Sequence, residues 1–323
     1  MDRSPGHHPS DSWPSGIWAA VPTPFRADES IDVAGIARNV AHYRDALGLA
    51  GIFCNGLMGE GWSLSADERR QILEATIEAA NGALPVGVVT THGSISETLA
   101  LSRHAIASGA DHIVLMRPAG LFSVDELTDL VRMVSDVAEG RIVLFDSEAQ
   151  SGGFRPEVIR VLAREHRIQA VKCTRDADAI AALRAECSEF VAICDPYESH
   201  ALSNLTRFNQ RVLYADPEPY LYQTGDVQPI RTYFDAHDRS DTGAMLAEHG
   251  RLEPLRRVYA TWIETPLRRG LPINAALKHW CRRVGLAAGP VRRPLHPLTE
   301  GQTAALDKEL DAAFQAALGL SPK

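Results

Sequence analysis

The sequence predicts a (β/α)8 TIM barrel with additional C-terminal helices. Three observations predict it. Short apolar runs recur about every 20 to 35 residues, near the spacing of βα units in such a barrel. The runs are continuous rather than alternating, as strands covered on both faces should be. Between them lie amphipathic stretches, several of which open on a helix-capping signature. A doubly wound open sheet is the other arrangement these units allow.

In chain order the runs are Gly16–Val21, Ala50–Asn55, Pro85–Thr90, His112–Met116, Arg141–Phe145, Ile168–Lys172, Phe190–Cys194 and Arg211–Ala215. Helix starts follow the second, third and fourth. Ser65 with Glu68, Ser94 with Glu97 and Ser123 with Glu126 each form a capping box, in which hydroxyl and carboxylate satisfy amides of the first turn. After the first box, Ile72, Leu73, Thr76, Ile77 and Ala80 make one stripe at helical period. Gly82 and Pro85 end that helix and open the next strand. Residues 1–15, rich in Ser, Pro, Gly and His, read as a flexible tail, residues 16–227 as the barrel, and residues 228–323 as a helical extension packed on it.

Composition bounds the function. The chain has 323 residues, 45% of them hydrophobic, enough for a sizeable core. Its net charge of -8 weighs against a nucleic-acid partner. No apolar run is long enough for a membrane span, and the N-terminus lacks the apolar stretch of a secretory signal. The five cysteines, Cys54, Cys173, Cys187, Cys194 and Cys281, form no CxxC pair, which suggests reduced thiols and a cytoplasmic address. His92, His104 and His112 share no metal-ligand spacing, so neither a metal nor another cofactor is expected.

In a barrel the chemistry comes from the C-terminal strand ends and the loops after them. The sixth strand ends in Lys172, where lysine is uncommon as a buried residue. A free lysine amine is almost wholly protonated at neutral pH. Burial and a neighbouring cation such as Arg175 both disfavour that charge and favour the nucleophilic form. Such an amine can attack a ketone and form a Schiff base; a lysine paired with a carboxylate at the rim is the other reading. Cys173 next to it should point to the opposite face of the strand.

The stretch "GLMGEGWSLSADER" resembles the G-x-x-G-E-x-x-x-L-x-x-x-E signature of the dihydrodipicolinate synthase and N-acetylneuraminate lyase family. "AVPTPF", "ASGADHIVLMRP", "AVKCT" and "PINAALKHWCRRVGLAAGPVRRPLHPLTEGQ" resemble further family segments in the same order. The resemblance implies a (β/α)8 barrel whose members condense, cleave or dehydrate 2-oxo acids such as pyruvate through a lysine Schiff base. It assigns that lysine to Lys172. It also implies a homo-oligomer, a dimer or a tetramer.

The chain departs from the family pattern at its other site positions. The two residues inside G-x-x-G-E, often Ser or Thr that hold a substrate carboxylate, are Leu57 and Met58, between Gly56 and Gly59. Backbone amides of this turn can still bind an anion. Phe145 stands where the family has a proton-shuttling tyrosine, and Asp146 or Glu148 is the candidate acid/base in its stead. Arg117 is a candidate carboxylate clamp. Glu60 matches the family glutamate, read as a brace of the turn, and Tyr197 or Tyr220 is a candidate for the lost phenol. These departures argue against dihydrodipicolinate synthase itself and against a standard sialic acid lyase. The readings left are a lysine-dependent lyase or hydro-lyase for a 2-oxo acid, a hydratase-aldolase for an aromatic or extended 2-oxo acid suited by Leu57, Met58, Trp62 and Phe145, and a non-catalytic small-molecule-binding homologue.

Overall fold

The computed structural model describes residues Trp13–Gly319. Most of the predicted tail lies outside them. The chain folds as a (β/α)8 TIM barrel with additional C-terminal helices, its eight strands in the order β7-β6-β5-β4-β3-β2-β1-β8. The first part runs β1 (Gly16–Ala20), α1 (Val33–Ala41), β2 (Gly51–Cys54), α2 (Ala66–Ala80), β3 (Val86–Val89), α3 (Ile95–Ser108), β4 (His112–Met116) and α4 (Val124–Ala138). It continues with β5 (Ile142–Asp146), α5 (Glu148–Ser151), α6 (Pro156–Arg164), β6 (Ala170–Cys173), α7 (Ala177–Cys187), β7 (Ala192–Cys194), α8 (Ala201–Phe208) and β8 (Val212–Tyr214). After these come α9 (Pro219–Tyr222), α10 (Pro229–Asp238), α11 (Thr242–Arg251), α12 (Glu253–Tyr259), α13 (Thr265–Arg268), α14 (Asn274–Arg283) and α15 (Glu300–Leu318). Each strand falls within an apolar run or overlaps its end by one residue.

Two compact units emerge, each discontinuous in sequence. One holds residues 87–196 with 210–214; the other holds 17–86, 197–209 and everything from Ala215. In the first, β3, β4, β5, β6 and β7 pair in parallel. The β5–β6 register sets Phe145 beside Lys172 and Asp146 beside Cys173. Because side chains alternate along a strand, the first pair shares one face of the sheet and the second pair the other. Helices α4 and α6 cover this unit with apolar faces: Leu127, Leu130, Val131 and Val134 from one, Val158, Ile159 and Leu162 from the other, all buried.

In the second unit β1 pairs with β2 in parallel, and α2 buries Ile72, Leu73, Thr76 and Ala80 of its predicted stripe, while Ile77 is only half-buried. Ser65 and Ser123 form complete capping boxes with Glu68 and Glu126. Ser94 does not follow them in full. Its hydroxyl accepts from Glu97 N at 3.5 Å, but its own amide donates to His92 Nδ1 at 3.1 Å. A histidine two residues upstream has taken the glutamate's place as acceptor. A further box, Thr299 with Gln302, starts α15 and is absent from the sequence reading. Among the described residues no helix is long and apolar enough to cross a membrane.

Candidate active site

In the first unit the site is built around the ends of β5 and β6. Lys172 is 5% exposed, and its Nζ stands 4.9 Å from the centroid of the Phe145 ring. That distance is within cation–π range. Cys194 pairs in register with Lys172 from β7; burial pushes its thiol up to about 12. Its Sγ accepts from Tyr214 N and Gln210 Nε2.

The opposite face of the same two strands carries a saturated ion pair. Asp146 is fully buried. Its Oδ1 accepts from Phe154 N at 2.7 Å and from Arg175 Nη2 at 3.1 Å, and its Oδ2 from Arg175 Nε at 2.5 Å. Cys173 Sγ adds a contact to Oδ2 at 3.5 Å. Burial, with the Asp146 carboxylate adding to it, pushes that thiol up to about 12, which leaves it un-ionised and inert near neutral pH. Arg175 also donates to Glu148 Oε1 at 2.7 Å and to the Phe154 carbonyl. The guanidinium named from the sequence as a cation acting on Lys172 is therefore engaged by two carboxylates. Gly153 makes this closure possible: its φ is +63°, and a Cβ there would meet Asp146 Oδ1 and Arg175 Nη2 at about van der Waals overlap.

Asp146 and Glu148, read together as candidate acid/base, differ sharply in setting. Every oxygen of Asp146 is committed to donors, while the Glu148 side chain is 68% exposed at the start of α5. Arg117 Nη1 donates to Ser151 O at 3.2 Å and its Nη2 to Gly120 O at 2.9 Å, which ties the loop after β4 to the loop after β5.

In the second unit the Gly56–Gly59 turn follows β2. Two non-glycine residues with left-handed backbones bracket it, Asn55 at φ 63° and Glu60 at φ 54°. Glu60 N donates to Leu57 O and Gly61 N to Gly56 O, so those carbonyls are occupied. Gly61 is obligatory, because a Cβ there would overlap the Asn55 carbonyl. Among the described residues, the amides of Gly56, Leu57, Met58 and Gly59 find no acceptor. Met58 and Gly59 are buried all the same. Consecutive backbone donors without a protein acceptor can serve to hold an anion.

Glu60 itself is fully buried, with Lys278 Nζ 2.6 Å from Oε1 and Arg292 N donating to Oε2 at 3.0 Å. Beside it, Arg292 grips Glu68 at 2.7 and 2.9 Å, and this holds the Glu68 carboxyl below its ordinary range. Tyr220, named as a candidate for the lost phenol, is buried and donates its hydroxyl to Ala20 O at 2.8 Å. Lys278 and Asn274, the partners of this turn on α14, carry no signal in the sequence beyond helical apolar neighbours.

Comparison with known proteins follows the same lines. Residues 13–207 match the model of the dihydrodipicolinate synthetase family. A 4-hydroxy-tetrahydrodipicolinate synthase of Methanothrix thermoacetophila is 28% identical over 90% of this chain and 94% of its own length. An N-acetylneuraminate lyase of Rhizobium meliloti is likewise 28% identical, over 90% of this chain and 92% of its own. The solved Proteus mirabilis N-acetylneuraminate lyase shares the fold, with a TM-score of 0.77 at 22% identity over 93% of this chain and 99% of that one. A match over more than half the chain makes this chain a member of the dihydrodipicolinate synthetase family.

Proposed function

We propose that the protein is a lysine-dependent lyase, an aldolase or a hydro-lyase, acting on pyruvate or another 2-oxo acid. The observation that carries the reading is the Lys172 amine, buried at the end of β6 over the face of Phe145. The neutral amine adds to the C2 carbonyl; with one proton, water leaves and an iminium joins Nζ to C2. Electrons from a bond at C3 can then flow toward the iminium nitrogen, which is what bond cleavage, condensation or dehydration next to a ketone requires. Phe145 cannot pass a proton, and its ring face stabilises the cation instead.

Of the two carboxylates, we assign proton transfer to Glu148, because Asp146 has no oxygen left to offer. Glu148→Gln should leave the adduct on Lys172 intact. It should lower deuterium uptake at the pyruvate methyl group by about 100-fold, the usual scale of general-base loss. Undiminished uptake would move the role elsewhere. In the second unit, we read the amides of Gly56–Gly59 as holders of a carboxylate in place of side-chain hydroxyls.

The deciding experiment is incubation with pyruvate and borohydride, followed by mass-spectrometric mapping of the adduct. An adduct with larger 2-oxo acids but not with pyruvate would favour the extended-substrate reading. Silence across such a panel would favour a binding protein that has kept its lysine. The family resemblance further supports a homo-oligomer, which light scattering measures, and the buried free cysteines suit a reducing, cytoplasmic setting that fractionation would check.

A further inference from the structure

We infer that helix α14 is the positioning element of the anion-holding turn: Asn274 and Lys278 fix the Gly56–Glu60 backbone so that its free amides converge on one ligand oxyanion. This rests on the reading of that turn as the carboxylate holder.

The turn has a reason to need an outside brace. Glu60 adopts a left-handed backbone at φ 54°, a strained conformation for a non-glycine residue that persists only where surroundings over-determine it. The amides of Gly56–Gly59 donate to no protein acceptor, and the turn's internal backbone bonds are those of Glu60 N to Leu57 O and Gly61 N to Gly56 O. Further support comes from α14 and the segment after it. Asn274 Nδ2 donates to Leu57 O at 3.0 Å, the same carbonyl that receives Glu60 N. One helical turn on, Lys278 reaches Glu60 Oε1 at 2.6 Å.

Lys278 is in turn fixed from every side. It donates to Pro290 O at 2.8 Å and stands 4.1 Å over the Phe25 ring. With the side chains of Lys278 and Glu60 only 1% and 0% exposed, the pair is dry and rigid. Asn274 and Lys278 therefore pin the turn at two points, one through a backbone carbonyl and one through a side chain. Both act on the turn rather than supplying one of its four unmatched amides, which makes them positioning residues.

The test uses the full chain. Amide hydrogen exchange over residues 56–61 is followed in the parent and in Asn274→Asp, with and without pyruvate, and borohydride trapping is run in parallel. Aspartate keeps the shape but cannot donate to Leu57 O. A second variant, Glu60→Gln with Lys278→Met, removes the charge pair without stranding either charge. Both variants should exchange these amides at least about tenfold faster. Both should need about tenfold more pyruvate for half-maximal protection and for half-maximal trapping. Unchanged exchange, or faster exchange with unchanged pyruvate dependence, would overturn the inference. Exchange does not pass through Lys172. If pyruvate protects these amides and the variants shift that protection while no adduct forms, the inference stands and the Schiff-base reading fails. If pyruvate protects nothing, the turn is no carboxylate holder and the inference falls with it.

Discussion

Lys172→Ala abolishes the borohydride-dependent adduct and lowers turnover by roughly 10^4-fold or more, the scale expected when a covalent nucleophile is removed. The chain makes this measurement unusually clean, because it contains only four lysines, at 172, 278, 308 and 323. Lys278 is locked in an ion pair with Glu60 and bonded to Pro290 O. Lys308 is exposed on α15, and Lys323 lies outside the described residues. Nonspecific reduction would label the exposed lysine and survive in Lys172→Ala. Specific chemistry would label Lys172 alone and vanish with it. Lys172→Arg should behave like the alanine variant, since a guanidinium keeps the charge over Phe145 but forms no imine under these conditions. Adduct that persists at another lysine in Lys172→Ala would end the assignment.

Arg175→Met destabilises the fold by about 3–5 kcal/mol, the cost of leaving a buried carboxylate without its cation. The midpoint of thermal unfolding should fall by on the order of 10 °C for a chain of this size. Asp146 is the reason. It has no solvent exposure, and Arg175 supplies two of its hydrogen bonds. The double variant Asp146→Leu with Arg175→Met should recover most of the loss, because a well-packed apolar pair avoids the desolvation that the charged pair must offset. This variant also separates two roles for Asp146. If Asp146 only anchors the strand ends, the double variant still forms the adduct on Lys172 and still exchanges the pyruvate methyl protons. If the double variant folds but exchange is lost, Asp146 is an acid/base after all and Glu148 is not sufficient.

In the first unit Phe145 lies against the Lys172 amine and Arg175 bridges Asp146 and Glu148; in the second unit Leu57 and Met58 fill the turn after β2. Backbone amides do not depend on side-chain identity. The turn can therefore lose both hydroxyls and keep its donors, provided its conformation is held.

Much was legible in the sequence for a physical reason. A strand covered on both faces must be apolar along its length, and a helix must cap its first amides, so strands and helix starts leave local marks. Lys172 was legible because a charged side chain ending an apolar run is conspicuous. Cys173 turned from it could be read from strand alternation alone. What remained hidden were the partners. Asn274 meets Leu57 across 217 residues, and nothing local to either predicts it. Asp146 and Glu148 look equivalent as letters. Only the β5–β6 register and the path of the loop to Gly153 and Phe154 bury one beneath Arg175 and leave the other exposed. By itself the sequence determined the order of elements and the residue types available. The tertiary structure decided which donor meets which acceptor, because hydrogen bonds and ion pairs act over about 3 Å, a precision that periodicity does not carry.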